Sequence, residues 1–445
     1  MKKRILLLVV LALTLVGVSA AQEPEFVFGD LLPDAPELAA RGDYAVGVRM
    51  LAITDEGRVD LLNATGDNPS PLYDRTLNVH VWYPAALLPD QVEMTEYADF
   101  LGRADNPDAP LVPFTFAGRA APDAPPDLSG APYPLVVVSH GFPGSSLMMS
   151  YLTENLASKG YVVVAIAHTD STYSDVAAFG STLLNRSLDQ WFTIDEMARL
   201  NASSEGFLTG MVDADNTGLI GYSMGGYGAL NALGAGYNGL AANFGPGVNY
   251  QVLVNDTEAY AELVDPRIKA AVLFAPWGGS LAPLGLGDLS LWDEPALANI
   301  SAPTFWVVGS EDDVSTFDGV KRLFDWSVNS ERHLLIYDNA LHNTAPNPPP
   351  AIAEALGDYE RYADPVWDER RINNVNQHFV TAFLGLHLKG DESFADYLTV
   401  EVQDSNDGVF SVADDGTFTD DHSYWTGFSP RTALGMQLIY TPAGE

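Results

Sequence analysis

From residue 134 onward, short runs of consecutive apolar residues alternate with longer segments in which apolar and polar residues mix. The runs cover residues 134–138, 161–167, 217–222, 269–275, 304–308 and 333–337. Strands that are apolar at nearly every position are typical of a sheet covered on both faces, because neither face meets water. The alternation of strands with helices favours parallel pairing. The pattern therefore predicts the α/β class, with a mostly parallel central sheet, helices on both faces and a single elaborated domain.

Two further patterns lie at the borders of this core. Residues 79–83 alternate in the manner of an antiparallel strand at the edge of a sheet. Near the other border, a final helix is predicted from the spacing of the apolar residues Val375, Phe379, Phe383 and Leu386. We interpret this apolar stripe as a packing face and not as a cofactor site.

The regions outside the alternating pattern are assigned by composition. Residues 21–132 are predicted to form an N-terminal extension with edge strands, and the part at 98–132, rich in Ala, Pro and Asp, to be a surface excursion. Residues 133–395 form the predicted core. Within it, residues 236–265 are a candidate lid, although an ordinary decorated loop explains them equally well. Residues 396–445 are expected to pack on the core as a hairpin of strand-like pieces.

Residues 1–20 have the pattern of a secretory signal peptide. They begin with Met-Lys-Lys-Arg, continue with a short apolar run and end in small residues. The apolar run is shorter than the roughly 20 residues needed to cross a membrane, so no stable membrane anchor is expected. We interpret the mature protein as secreted, either extracellular or periplasmic.

Charge and cysteine content narrow the possible partners. Asp and Glu number 59 against 22 Lys and Arg, which gives a formal net charge of −37. Such a surface repels nucleic acids, so no nucleic-acid partner is expected. The chain has no cysteine, which excludes disulfides and a lipid attached through cysteine. No metal site is predicted; only calcium at the acidic residues 404–407 is left open, and no ligand spacing supports it.

A glycine-rich motif, Gly221-Tyr-Ser-Met-Gly-Gly226, follows the apolar run 217–222 and begins a segment of small residues. A strand, a sharp turn and a helix around the pattern G-x-S-x-G form a nucleophile elbow. Glycine is required at positions 221 and 225 because any Cβ there would collide with the neighbouring backbone. The motif predicts that Ser223 stands above the sheet as a nucleophile.

A serine nucleophile needs a histidine as base and an acid that orients this histidine. In serine hydrolases with such an elbow, the acid and the histidine follow the serine in that order. Asp312 follows the apolar run 304–308, and His342 follows the run 333–337. Asp313 competes with Asp312, which better fits the usual spacing after the strand. We predict Asp312 as the acid and His342 as the base.

Backbone N–H groups are predicted to stabilise the negative charge that develops on the substrate. In these enzymes one donor belongs to the residue after the nucleophile, and the other to a loop after an earlier strand. That loop is expected at residues 139–144. The predicted oxyanion hole therefore consists of the N–H groups of Phe142 and Met224.

Three further residues are candidates for the substrate pocket. His140 and His168 each end an apolar strand, and Trp277 follows another. For Trp277, simple core packing is an equal alternative, because pockets and cores are lined by the same residue types.

Taken together, these motifs resemble those of a group of secreted bacterial α/β-hydrolases. The group joins dienelactone-hydrolase-like proteins to the plasma and intracellular type II platelet-activating factor acetylhydrolases. The resemblance covers about residues 43–395 and rests on Tyr44 to Arg49, Val81-Trp-Tyr-Pro84, Ser139-His-Gly141, Ala167-His-Thr-Asp170, Gly221 to Gly226, Asp312 and His342. It implies the α/β-hydrolase fold and a serine esterase or lipase, without metal or cofactor, that acts on a small-molecule or lipid ester. Dienelactone hydrolases use a cysteine nucleophile, so that activity is not expected of a chain without cysteine.

The expected function is hydrolysis of carboxylic esters through an acyl-enzyme formed on the elbow serine. A serine peptidase on the same fold is one alternative, since a triad does not distinguish amides from esters. A noncatalytic binding protein on the same scaffold is another, although all the triad positions are filled. The sequence leaves acyl chain length and oligomeric state open.

Overall fold

The computed structural model describes residues 26–102, 110–238, 250–355 and 359–445. Its strands are β1 (Ala45–Val59), β2 (Leu72–Ala85), β3 (Thr95–Leu101), β4 (Val112–Gly118), β5 (Ala121–Pro122), β6 (Tyr133–Ser139), β7 (Val162–Ala167), β8 (Ser171–Thr172), β9 (Asp175–Val176), β10 (Val212–Tyr222), β11 (Ile268–Phe274), β12 (Thr304–Gly309), β13 (Arg332–Tyr337) and β14 (Met436–Thr441). Its helices are α1 (Ser150–Ser158), α2 (Phe179–Ala202), α3 (Met224–Ala232), α4 (Glu258–Ala261), α5 (Glu294–Leu297), α6 (Phe317–Trp326), α7 (Ala351–Ala355), α8 (Tyr359–Tyr362), α9 (Glu369–Lys389) and α10 (Ala395–Leu398). The predicted signal peptide lies outside the described residues.

One central sheet runs through the molecule in the order β14-β13-β12-β11-β10-β6-β7-β2-β1-β5. From β13 to β7, each strand is parallel to the next. These strands correspond to the six apolar runs of the sequence, so the predicted mostly parallel sheet is confirmed.

Helices cover both faces of this sheet. On one face, α2, α3, α5 and α6 pack over a core that includes Tyr227 and Val137. On the other face, α1 and α9 pack over a core that includes Phe379, Val136 and Val138. Because side chains alternate along a strand, neighbouring valines of β6 enter different cores. Both faces are therefore dry, as the near-continuous apolar runs predict.

The strand at residues 79–83 lies inside the sheet and not at its edge. It is part of β2, which pairs antiparallel with β1 on one side and with β7 on the other. Val79, Val81 and Trp82 are all buried, so both faces of this strand are covered. The predicted edge position is therefore wrong, and the outermost strands are β5 and β14.

Part of the predicted surface excursion at 98–132 is an ordered hairpin. β3 and β4 pair antiparallel to form a separate two-stranded sheet. Tyr97, on β3, is buried in the same core as α1 and α9. The excursion is therefore attached to the core, while residues 103–109 lie outside the described part of the chain.

The described parts of the candidate lid are 236–238 and 250–265. Within them, Tyr237 and Tyr260 are buried in the core that also holds α2 and α3. These two side chains therefore anchor the described parts of the segment to the core, while Glu258 and Glu262 are exposed, and the lid stays a prediction. The centre of the candidate lid, residues 239–249, lies outside the described residues.

The C-terminal tail lies on the core, and within it Val412 and Phe418 pair antiparallel outside the main sheet. Its strand β14 joins the central sheet antiparallel to β13. Before this strand, Trp425 and Phe428 pack into the core beside α9. The tail therefore also completes one border of the main sheet, which the expectation of a hairpin did not include.

Candidate active site

Ser223 occupies the sharp turn between β10 and α3. Its backbone has φ 52° and ψ −113°, a conformation that persists only where the surrounding structure imposes it. A Cβ added to Gly221 would overlap the backbone of Gly225, and one added to Gly225 would overlap the carbonyl oxygen of Ser139. The structure therefore contains the crowding that requires glycine at both positions.

Backbone hydrogen bonds hold this turn on both sides. The N–H of Ser223 donates to the carbonyl of Phe274 on β11, at 2.8 Å. The carbonyl of Ser223 accepts from the N–H groups of Tyr227 and Trp277, at 3.0 and 3.1 Å. The turn is thus fixed by a strand, a helix and a loop, and it presents the Ser223 side chain to a pocket.

Asp312 and His342 form a hydrogen-bonded pair beyond the ends of β12 and β13. Nδ1 of His342 lies 2.9 Å from Oδ2 of Asp312. The other carboxylate oxygen accepts from the N–H groups of Val314 and Ser315, at 2.9 and 2.8 Å. Burial alone would raise the pKa of Asp312, but the His342 ring and these N–H donors outweigh it, and the pKa lies below its usual value. The carboxylate is therefore ionised at neutral pH and can orient the imidazole.

The two neighbouring carboxylates have different surroundings. Asp312 is 5% exposed and contacts the histidine ring. Asp313 is exposed and borders the pocket. The structure therefore brings Asp312, and not Asp313, to His342.

A pocket of about 490 Å³ opens onto both Ser223 and His342. Its wall is rich in aromatic side chains, namely Phe28, Phe100, Phe114, Phe116, Phe142, Tyr173, Tyr222 and Tyr362. Prolines of the segment 346–350 extend the apolar surface. A concave and mainly apolar site with a few polar groups is typical of small-molecule binding.

Sequence reasoning missed the contribution of the β3–β4 hairpin to this pocket. Phe100 comes from β3, and Phe114 and Phe116 come from β4. The apolar residues of β4 alternate with Pro113 and Thr115, and this period of two was the available signal. The composition of the segment, rich in Ala, Pro and Asp, favoured a surface loop instead.

His140, His168 and Trp277 do not belong to the lining of the pocket that contains Ser223. Their prediction as pocket residues is therefore wrong. His140 and His168 are each 1% exposed, and the Trp277 ring packs edge-on against Phe179. A position at the end of a strand brings these residues near the site, but their side chains turn into the core.

His168 belongs to a buried chain of hydrogen bonds that has the residue types of a catalytic triad. Its Nε2 lies 2.8 Å from Oγ of Ser139, and its Nδ1 lies 2.9 Å from Oδ2 of Asp189. No substrate can reach this chain, since none of the three residues is more than 1% exposed. Burial lowers the pKa of His168 to about 3, so the ring is neutral. These bonds tie the ends of β6 and β7 to α2.

The two predicted oxyanion donors lie beside the nucleophile. Met224 is the first residue of α3, where backbone N–H groups have no partner within the helix. Phe142 lines the same pocket as Ser223. A Cβ added to Gly141 would lie 3.5 Å from Cβ of Ser223, so the loop before Phe142 approaches the serine closely.

Within the described ranges, no group of three or more histidine, aspartate or glutamate side chains is placed to hold a metal ion. The helices of the described part of the chain also include none with the length and apolarity needed to cross a membrane.

Comparison with known proteins identifies the fold. Residues 124–241, which include β6 and the elbow, match the model of a family described as PET hydrolase-like. The solved structure of a ferulic acid esterase from Streptomyces cinnamoneus matches with a TM-score of 0.51 and 20% sequence identity, over 80% of this chain and 94% of that chain. No curated protein matches the sequence significantly. The chain has the α/β-hydrolase fold.

Both likenesses are to esterase-type hydrolases, which confirms the predicted resemblance to bacterial α/β-hydrolase esterases. The segment matched by the family model includes Phe142 and Ser223, whereas Asp312 and His342 lie beyond it.

Proposed function

We propose that the protein is a serine hydrolase of carboxylic esters. The observation that carries this proposal is the hydrogen bond between His342 and Asp312, at a pocket that also presents Ser223. A nucleophile, an oriented base and an apolar substrate site are the parts that acyl transfer requires. The likeness to esterase-type hydrolases supports the same class of reaction.

In the proposed reaction, Nε2 of His342 takes the proton of the Ser223 hydroxyl as Oγ attacks the ester carbonyl carbon. The N–H groups of Phe142 and Met224 stabilise the negative oxygen of the tetrahedral intermediate. His342 then gives its proton to the leaving alcohol as the C–O bond breaks, and an acyl-enzyme remains. Asp312 stays ionised and holds the imidazole in place.

The second half of the reaction uses the same groups. His342 takes a proton from water as the water oxygen attacks the acyl-enzyme. The bond to Ser223 then breaks, the serine recovers its proton from His342, and the carboxylic acid leaves. Water is consumed, and one ester gives one acid and one alcohol.

The aromatic wall of the pocket supports esters with an aromatic ring as the preferred substrates. Phe28 and Phe116 have ring centroids 4.9 Å apart, and Phe114 stacks on Phe116 at 5.9 Å. A flat ring gains from offset or edge-on contacts with such side chains, at about 0.5–1.5 kcal/mol a pair beyond the area it buries. The solved esterase that shares the fold is named for ferulic acid, itself an aromatic acid.

Hydrolysis of methyl ferulate and of p-nitrophenyl esters from acetate to palmitate tests the proposal. We expect Ser223→Ala to lower kcat by about 10⁴-fold or more, since removal of a nucleophile removes the acyl-enzyme route. Ser429→Ala, an exposed serine of the tail, is the matched control and should retain full activity. Within the series, a preference for the aromatic ester over the long acyl chains is expected.

Labelling with a fluorophosphonate separates the alternatives. A folded wild-type chain that is labelled and cleaves p-nitroanilides but no esters would be a peptidase. A folded chain that is never labelled would be a binding protein on a hydrolase scaffold. Either result contradicts ester hydrolysis.

We also propose that the chain is secreted. The support is the signal-peptide pattern of residues 1–20. Expression in a bacterial host should yield a mature protein outside the cytoplasm, with an N-terminus near residue 21 by Edman sequencing. Retention of the uncleaved chain in the cytoplasm would contradict this.

A further inference from the structure

Arg186 lies in the middle of α2 and is buried beneath the loop at 139–144, with 1% exposure. Its Nη1 donates to the carbonyl of His140. Its Nη2 donates to the carbonyl of Gly141 at 3.3 Å and to the hydroxyl of Ser171. This buried cation therefore bonds mainly to the backbone of the loop that carries a proposed oxyanion donor.

The bonds to the Gly141 carbonyl determine the direction of the next N–H group. The peptide between Gly141 and Phe142 is trans, so its C=O and N–H point in opposite directions. Arg186 and Nδ1 of His140, at 2.6 Å, both bond this carbonyl oxygen. The N–H of Phe142 must therefore point away from these two side chains.

His140 can donate this bond because its tautomer is determined by its surroundings. Nε2 of His140 accepts from the backbone N–H of His168 at 3.2 Å. The proton of the neutral ring must therefore sit on Nδ1, which faces the Gly141 carbonyl. Burial, and after it the charge of Arg186, keeps the pKa of His140 well below its usual value, so the ring stays neutral.

The charge of Arg186 acts on the same amide group. Hydrogen-bonded groups polarise one another in a low dielectric, so a cation on the Gly141 carbonyl makes the Phe142 N–H a stronger donor. Burial lowers the pKa of Arg186 to about 9 while nearby Asp189 acts in the opposite direction, so the guanidinium is charged at neutral pH.

We propose that Arg186 is a positioning residue for the oxyanion hole, and that its bonds to the loop backbone aim and polarise the Phe142 N–H. The inference rests on the proposed ester hydrolysis. Negative charge develops on the substrate oxygen only as the tetrahedral intermediate forms. Arg186 therefore stabilises the transition state more than the bound substrate. Its substitution therefore lowers kcat while KM changes little.

Arg332 is the matched control for the loss of a buried arginine. It is 3% exposed and donates to the carbonyls of Ser330 and Glu445, at 3.2 and 2.7 Å. It belongs to β13 and has no contact with the loop at 139–144. Its substitution removes a buried cation bonded to carbonyls without touching the proposed hole.

The experiment compares Arg186→Met, Arg186→Lys and Arg332→Met with the wild type. kcat and KM are measured with p-nitrophenyl butyrate, inhibition with phenylboronic acid, and Tm by calorimetry. We expect Arg186→Met to lower kcat by about 10²-fold, the effect of displacing a catalytic group by an ångström. The boronate should lose affinity by a similar factor, because its tetrahedral adduct with Ser223 puts an oxygen in the hole. Arg186→Lys keeps a charge but not the fork of donors, so it should recover part of kcat.

Arg332→Met should lower Tm while kcat and boronate affinity stay at the wild-type level. The proposal is overturned if folded Arg186→Met keeps the wild-type kcat, or if its kcat falls while boronate affinity does not. If the methionine variant does not fold, the lysine variant decides by the same two readouts. If the wild type does not hydrolyse esters, the proposed function itself is contradicted. If the wild type is active and Arg186→Met is equally active, only the inference about Arg186 is contradicted.

Discussion

Ser223 keeps its uncommon backbone conformation because its neighbours Gly221 and Gly225 have no Cβ. The crowding that excludes other residues comes partly from the turn itself and partly from the end of β6. A short motif encodes such a local requirement almost completely. For this reason the elbow could be predicted from the sequence alone.

The difference between Asp312 and Asp313 can be tested directly. Asp312→Asn should lower kcat by about 10⁴-fold, because an amide facing Nδ1 favours the wrong tautomer of His342. Asp313→Asn should change kcat much less, since Asp313 is exposed and makes no bond to that ring. Both variants are assayed with p-nitrophenyl butyrate alongside their Tm. Equal losses in the two variants would contradict the assignment of the acid.

The directions of the histidine side chains could not be predicted in the same way. That His140 and His168 end strands is visible in the sequence. Whether each ring faces a cavity or a buried partner depends on distant residues, here Asp189 of α2 for His168 and the Gly141 carbonyl for His140. Such long-range pairing has no local signature.

At the scale of elements, the β3–β4 hairpin is attached to the core through buried polar groups. The Tyr97 hydroxyl of β3 accepts from Nε1 of Trp82 and donates to Glu154 of α1, both at 2.7 Å. The other oxygen of Glu154 accepts from the N–H of Arg119 at 2.8 Å. The same hairpin carries Phe114 and other residues of the pocket wall. Its attachment therefore also determines the shape of the pocket.

This attachment should make stability depend on pH. Burial raises the pKa of Glu154 from 4.5 to about 7, although its bonds with Tyr97 and Arg119 lower it. Between these values Glu154 binds a proton in the folded chain but not in the unfolded chain, so the contribution of this group to the free energy of unfolding falls as pH rises. At about 1.4 kcal/mol per pH unit the loss approaches roughly 3 kcal/mol. Glu154→Gln, which stays neutral, should remove this contribution, so between pH 5 and pH 7 its stability should change more favourably than that of the wild type.

Urea unfolding at pH 5 and pH 7 measures this change in stability. Glu205→Gln, an exposed carboxylate after α2, is the control and should keep the wild-type pH dependence. A change in Glu154→Gln equal to that of the wild type would refute the role of this carboxyl group.

The parallel strands were predictable because residues buried on both faces leave a continuous apolar run. The hairpin was not, because β3 and β4 pair across the segment 103–109 and are covered on one face only. The sequence predicted an edge position for β2 because its neighbour β7 lies far away in the chain, and such a pairing leaves no local pattern. The pairing of β14 with β13 likewise joins segments about a hundred residues apart.

At the scale of the whole molecule, the pocket is assembled from segments that are far apart in the chain. Phe28, the hairpin, the loop at 139–144 and the segment 341–350 all contribute to its wall. The sequence could predict the proposed triad, because each of its residues follows a recognisable strand. The residues of the pocket wall could not be predicted, because their proximity depends on how separate segments of the chain fold together.

The net charge of −37 leads to a prediction for the whole chain. Carboxylates in such excess repel one another more in the compact state than in the unfolded chain. Salt shortens the range of this repulsion, to about 10 Å at 0.1 M. We therefore expect Tm to rise between 10 and 300 mM NaCl, and to rise equally with KCl at the same ionic strength. A Tm that falls with salt, as it would if ion pairs dominated, would contradict this.

The position of β14 has a consequence for the order in which the active site is completed. β13 leads to His342, and its outer side is closed by residues 436–441. During synthesis, Ser223 and the strand that supports Asp312 emerge long before these residues exist. The border of the sheet next to His342 therefore stays open until residues 436–441 are in place. Ribosome-bound chains that lack residues 436–441 would hold Ser223, Asp312 and His342 beside an open sheet border, and we expect the proposed ester hydrolysis to begin only after these residues have joined the sheet.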